Sequence, residues 1–113
     1  MGLHAGRLRH KLALQRKVQV RDPETGAIDE AWRTYAHVHG EVAPASAREF
    51  QAAAAEQSEV RGKITIRYRA DVGPGDRALH RGKGYEFLGV LPDNESGLEW
   101  MTLPVGEGVR VVP

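Results

Sequence analysis

The chain has 113 residues, 41% of them hydrophobic. That is the length of one domain, able to bury roughly 65% of the surface its unfolded form exposes. Sixteen Lys and Arg against fifteen Asp and Glu leave a net charge of only +1, which excludes strong global attraction to nucleic acid or to an acidic membrane. Cysteine is absent, so thiol and disulfide chemistry are excluded. No apolar run reaches the roughly 18 residues of a membrane span, and residues 1–10 lack a signal-peptide core. A soluble, unsecreted protein of one domain over 1–113 is therefore expected, with 1–7 as an N-terminal arm.

The charge is unevenly placed. Arg7, Arg9, Lys11, Arg16, Lys17 and Arg21 all precede the first acid, Asp22, so a positive segment leads into a mildly acidic body. Within it Leu8, Leu12, Leu14, Val18 and Val20 share one parity, interrupted by His10 and Arg16. Period two of this length predicts a half-buried strand over 8–20 with cations along its wet face. Those cations read either as a solvated face or as a contact surface for an acidic partner. Asp22-Pro23-Glu24-Thr25-Gly26 is a turn, because Asp and Pro start it and Gly26 can supply positive φ. It predicts a hairpin into a second strand from Ile28 through Trp32, Tyr35 and Val38 to Val42. Since strands usually run 3–10 residues, a bulge near Ala36 or Gly40 is expected.

Pro44 stops that strand, and Ser46-Ala47-Arg48-Glu49 forms an S-x-x-E capping box at the start of an Ala-rich helix. Phe50, Ala53, Ala54 and Gln57 share one helical face. Phe50 is the one large residue there, so it is the expected anchor, and its truncation would cost about 3–5 kcal/mol if buried. A return strand covers 60–69, where Ile64, Ile66 and Tyr68 alternate with Lys63, Thr65, Arg67 and Arg69. The stretch 71–76 is a loop by composition, and either its residues 73–76 or the hairpin tip over 22–26 is expected to be mobile in the monomer and to order on assembly. A brief strand over 77–80, a turn over 81–84 and a strand over 85–91 with Tyr85, Phe87 and Leu91 on one face come next. A turn over 92–97 and a strand over 98–103 follow, and 104–113 reads as a loosely held tail. Short strands separated by turns predict a mainly β fold, a small antiparallel barrel or sandwich of about six strands with one short helix between the second and third.

Chemistry is hard to assemble from these residues. There is no G-x-S-x-G elbow, and the glycine pairs at 73/75 and 82/84 lack the strand-to-helix setting of a phosphate loop. His37 and His39 would share a strand face and could begin a zinc site, but no spaced cysteine or second pair completes it. Neither a catalytic residue nor a metal or cofactor site is assigned. A small barrel that binds single-stranded nucleic acid is the alternative, though Tyr68, Tyr85 and Phe87 fall on the apolar side of their strands.

Several motifs in order resemble a known family. Residues 6–16, Gly6-Arg7-Leu8-Arg9-His10-Lys11-Leu12-Ala13-Leu14-Gln15-Arg16, look like the opening G-x-L-R-H-R-I-x-I-Q-R of the small head–tail joining, or head-closure, proteins of tailed bacteriophages and gene transfer agents. Trp32 with residues 38–42 is similar to that family's W…V-W-A-E-V strand, with His39 in place of the usual aromatic. Residues 44–50 resemble P-x-S-G-R-E-F, with Ala47 where glycine is common, and 64–69 match I-x-I-R-Y-R. The resemblance covers about residues 6–103. It implies a non-enzymatic virion protein without cofactor or metal, built as a small β-barrel with one helix. It further implies a ring, commonly of twelve subunits, between portal or adaptor above and tail proteins below, with double-stranded DNA passing through it. In such a ring Arg7, Arg9, His10, Lys11, Asp22, Glu24, Arg48 and Glu49 are the interface candidates, since a positive segment and an acidic body supply complementary patches.

Overall fold

In a computed structural model, residues 5–93 and 95–111 are described. Residues 1–4 of the expected arm, Asn94 in the expected 92–97 turn, and 112–113 of the expected tail lie outside them. After a 3-10 turn over Ala5–Arg7, β1 (His10–Arg21) and β2 (Ile28–Pro44) form a long antiparallel hairpin. Its turn closes as the residues require. Gly26 adopts φ 73°, the Gly26 amide donates to the Asp22 carbonyl at 2.8 Å, and the Asp22 carboxylate accepts from the Glu24 amide at 2.8 Å. The expected bulge is at Tyr35: Leu14 faces Ala36 while Gln15 faces Thr34, so Tyr35 is the extra residue.

Helix α1 (Ala47–Ala55) starts at the capping box. Ser46 Oγ accepts from the Glu49 amide at 3.2 Å, and the Glu49 carboxylate accepts from the Ser46 amide at 3.5 Å. Then come β3 (Gly62–Arg67), β4 (Arg77–His80), β5 (Lys83–Glu86), β6 (Leu91–Pro92), β7 (Trp100–Val105) and β8 (Val109–Arg110). All pair antiparallel in one sheet of order β6-β7-β3-β2-β1-β4-β5-β8. The sheet rolls on itself without closing. One bridge joins Phe87 to Val105, and the Leu88 amide donates to the Pro104 carbonyl at 2.8 Å. Inside the roll lie Leu12, Leu14, Ile64, Ile66, Phe87, Met101, Leu103 and Val105. Alternation places them there: Ile64 faces Leu103 and Ile66 faces Met101 across the β3–β7 pair.

Mainly β with one short helix is the fold expected, but five details differ. Eight strands replace six, because β6 and β8 are two-residue pieces too short to show a period. The strand over 85–91 ends at Glu86, and Leu91 is exposed while Phe87 is buried. Residues 104–111 are not a loose tail: Val105 is core, and Val109 pairs with Gly84. Finally, no residue of α1 is buried, and Phe50 is 48% exposed. Its ring lies 5.1 Å from the Arg61 guanidinium, so the helix is held by its cap and flanking chain rather than by an aromatic anchor. Tyr68 likewise lies at the surface.

The turn that Pro92 opens is built on one carboxylate. Buried Asp93 accepts from the backbone amides of Glu95, Ser96, Gly97 and Glu99 at 2.7–3.0 Å. Burial alone would raise its pKa. The four amides outweigh burial and hold it well below the ordinary carboxylate range.

Candidate assembly interface

β1 meets β4 only at 13–15, and β2 meets β3 only at 40–44. Beyond those points the hairpin continues as a two-stranded ribbon. Among the described residues no strand pairs with the outer edge of β1 past Gln15 or with the outer edge of β2 before Gly40. Residues 19–31 are exposed on both faces, including Val20 at 45% and Ile28 at 62%. At about 3.3 Å per residue, the 17 residues of β2 span roughly 55 Å. That accounts for the 54 Å long axis of a molecule only 31 × 23 Å across.

The root of the ribbon is fastened by a polar node. Arg16 donates to the Asp76 carboxylate from Nε at 3.1 Å and from Nη2 at 2.9 Å, and also to the Asp71 carbonyl. Tyr35 Oη donates to Asp76 Oδ2 at 2.8 Å, the Gly73 amide donates at 3.2 Å, and the Arg16 guanidinium lies over the Tyr35 ring at 4.6 Å. Burial works to raise the Asp76 pKa, yet donation from Arg16, Tyr35 and the Gly73 amide holds it below the ordinary carboxylate range. Burial, then the carboxylate beside it, pushes the Tyr35 phenol well above its usual value. Thus Arg16, which interrupts the apolar alternation of β1, anchors the ribbon, and the bulge turns Tyr35 to meet the same partner. The 71–76 loop is tied into the node as well. A second set surrounds Trp32: the Arg77 guanidinium lies 4.3 Å and Lys17 Nζ 5.2 Å from its ring, and Arg77 Nε donates to Gln15 Oε1 at 2.7 Å. Trp32, Arg77, Glu86, Leu88, Glu107 and Val109 line an open cleft of about 500 Å³ beside this root.

The sequence-predicted interface residues fall into three places. Arg7 makes a two-point ion pair with Glu41 at 2.9 and 2.8 Å, and Arg9 Nε donates to the Gly6 carbonyl at 2.8 Å. Exposed Lys11 is close by, and the His10 ring meets His80 edge-on at 4.8 Å. Burial first, then neighbouring His10, lowers the His80 pKa. Asp22 and Glu24 sit at the ribbon tip, roughly 35 Å along β1 from His10. Arg48 and Glu49 are on α1, where Glu49 serves the cap. No single patch gathers them. The N-terminal cations are also partly neutralised within the chain, by Arg7–Glu41, Arg16–Asp76 and Lys17–Glu30. His37 and His39 are exposed on β2, and no group of three possible metal ligands exists among the described residues. Sequence reasoning did not reach Asp76, Tyr35 or the free ribbon edges. The misplaced Arg16 was the available signal for the node.

The family model for the phage head completion protein matches residues 3–108. Protein SF1141 from Shigella flexneri 2a, solved in solution, is 27% identical over 95% of this chain and 98% of that one, with a TM-score of 0.71. A chain from the virion of a native gene transfer agent particle is 22% identical over 93% of this chain and 98% of that one. Its TM-score is 0.64, a likeness of fold. No curated protein matches. With a match along nearly its whole length, the chain belongs to the phage head completion protein family, a structural component of phage-type virions.

Proposed function

We propose that this protein is a head–tail connector subunit of the head-closure or stopper type. Copies form a ring, commonly of twelve, in the particle neck between portal or adaptor and tail. The ring retains packaged DNA and docks the tail, after assembly in the host bacterial cytoplasm. The observation that carries this reading is the ribbon. A two-stranded hairpin alone in water is marginal, and here residues 19–21 of β1, the turn, and residues 28–31 of β2 lie in solvent on both faces with no contribution to the core. Such an extension is accounted for when a neighbour covers it. The near-zero net charge suits a channel through which DNA must slide, because each phosphate gripped would add steeply to affinity.

The single-strand-binding alternative gains one observation, since Tyr68 lies at the surface between Arg67 and Arg69. Arg69, however, is paired with Asp71 at 2.9 Å, leaving a weak platform. Imaging particles made without this protein tests the proposal. Filled or leaking heads without tails are expected, and fully tailed, infectious or transfer-competent particles would refute it. Salt-dependent binding of purified protein to single-stranded oligonucleotides would favour the alternative instead.

A further inference from the structure

We propose that neighbouring copies join through their ribbons, edge to edge. The outer edge of β1 over residues 17–21 of one copy pairs antiparallel with the outer edge of β2 over residues 28–32 of the next. This rests on the ring reading above and names the contact that would close the ring.

Three features lead to it. Both edges carry backbone groups without a strand partner among the described residues, and alternate residues along such an edge turn N–H and C=O outward. Neither stretch contains proline or glycine, so nothing in the backbone blocks a ladder. Strand sense also fits. Because β1 and β2 are antiparallel within a copy, copies set side by side in one orientation alternate β2-β1-β2-β1, and every new neighbour is antiparallel too. Such a contact is heterologous, so it propagates around a ring rather than stopping at a dimer.

Charge selects the unlike edge. Residues 17–21 carry Lys17 and Arg21 with no acid, whereas 28–32 carry Asp29 and Glu30 with no base. The hairpin already makes this match internally, with Lys17 Nζ 3.5 Å from the Glu30 carboxylate. In the alternating array each β1 would have a β2 on both flanks and meet the same carboxylates twice. Two β1 edges would set cations against cations, which is unfavourable for facing strands. Exposed Val20 and Ile28 would gain cross-strand neighbours at the same time.

Absence of native cysteine permits a clean test. Full-length chains bearing Val18→Cys, Gln19→Cys or Val20→Cys are mixed with chains bearing Ile28→Cys or Ala31→Cys. The mixtures are oxidised both in solution and in assembled particles, with oligomeric state followed by light scattering. Each chain holds one thiol, so any disulfide joins two copies. Mixed β1–β2 dimers are expected from at least one pairing, well above the dimers from either variant alone. Assembled oligomers without mixed dimers, or with same-variant dimers as abundant, would overturn edge pairing and leave the ring reading standing. A wild-type chain that is monomeric in solution and in particles would overturn both. As a second measurement, Asp29→Asn combined with Glu30→Gln should raise the concentration needed for assembly at least threefold, while the monomer, losing only its exposed Lys17–Glu30 pair, keeps its Tm within about 4 °C. Unaltered assembly would remove the charge argument.

Discussion

Gly40 lies where β2 leaves the ribbon and enters the body, paired with His10 on one side and Ile66 on the other. A Cβ added there would come 2.7 Å from Leu12 Cδ1, 2.9 Å from Ile66 Cγ2 and 2.9 Å from the Thr65 carbonyl oxygen. Two of those neighbours are fully buried core side chains, and the third is backbone, so none can swing aside. Overpacking of this kind costs about 1–3 kcal/mol. Alanine's strand advantage over glycine, about 0.5–1 kcal/mol, offsets part of it, so Gly40→Ala should destabilise by about 1–2 kcal/mol. With roughly 2 cal/mol/K of unfolding entropy per residue, each kcal/mol lowers Tm by about 4 °C in a chain of this length. A fall of about 4–8 °C by calorimetry is therefore expected, confirmed by the urea midpoint at unchanged m-value. Gly73→Ala is the control: nothing lies within 4 Å of its added Cβ, and it should be neutral or slightly stabilising. If Gly40→Ala melts no lower than Gly73→Ala, the three-strand crossing is looser than described.

Other expectations follow from the same packing. Phe50→Ala should cost less than about 1 kcal/mol, because the half-exposed ring loses only partial burial and its contact with Arg61; a loss of several kcal/mol on urea denaturation would restore it as an anchor. Truncation after Pro104 should lower stability by more than about 2 kcal/mol, since Val105 leaves the core and the Phe87 bridge is lost; an unchanged urea midpoint would show the end to be dispensable. Asp76→Ala should cost about 2 kcal/mol by stranding the Tyr35 hydroxyl and the root of the ribbon, and faster amide exchange across residues 16–35 should accompany it. Asp93 and Asp76 both have folded pKa values below the unfolded one. Their stabilisation is therefore fully present above about pH 4 and lost as pH falls towards the folded values. Asp93→Asn should flatten the acid limb of the stability–pH curve, and an unchanged limb would count against the four-amide loop.

Local instructions were legible along the chain. Ser46 and Glu49 specify the helix start, Asp22 and Gly26 the hairpin turn, and the alternation of Ile64 and Ile66 a strand with one buried face. The ordered motifs from Gly6 to Arg69 were legible too, and the family they resemble is the family to which the chain belongs. Each of these depends on backbone preferences and side chains a few residues apart, which any reader of the sequence has in hand. Helical spacing placed Phe50 on a face but could not say whether a sheet lay beneath it. Alternation resumes past Arg16 with Val18 and Val20, so period alone cannot mark where the body ends. That boundary is set by where β3 and β4, dozens of residues away in the chain, stop pairing. The Arg16–Asp76–Tyr35 node spans sixty residues, and Val105 becomes core only because the sheet rolls far enough to bring Phe87 against it. Burial and edge exposure are properties of what comes to lie alongside a segment, and that is decided by the folded arrangement of distant strands.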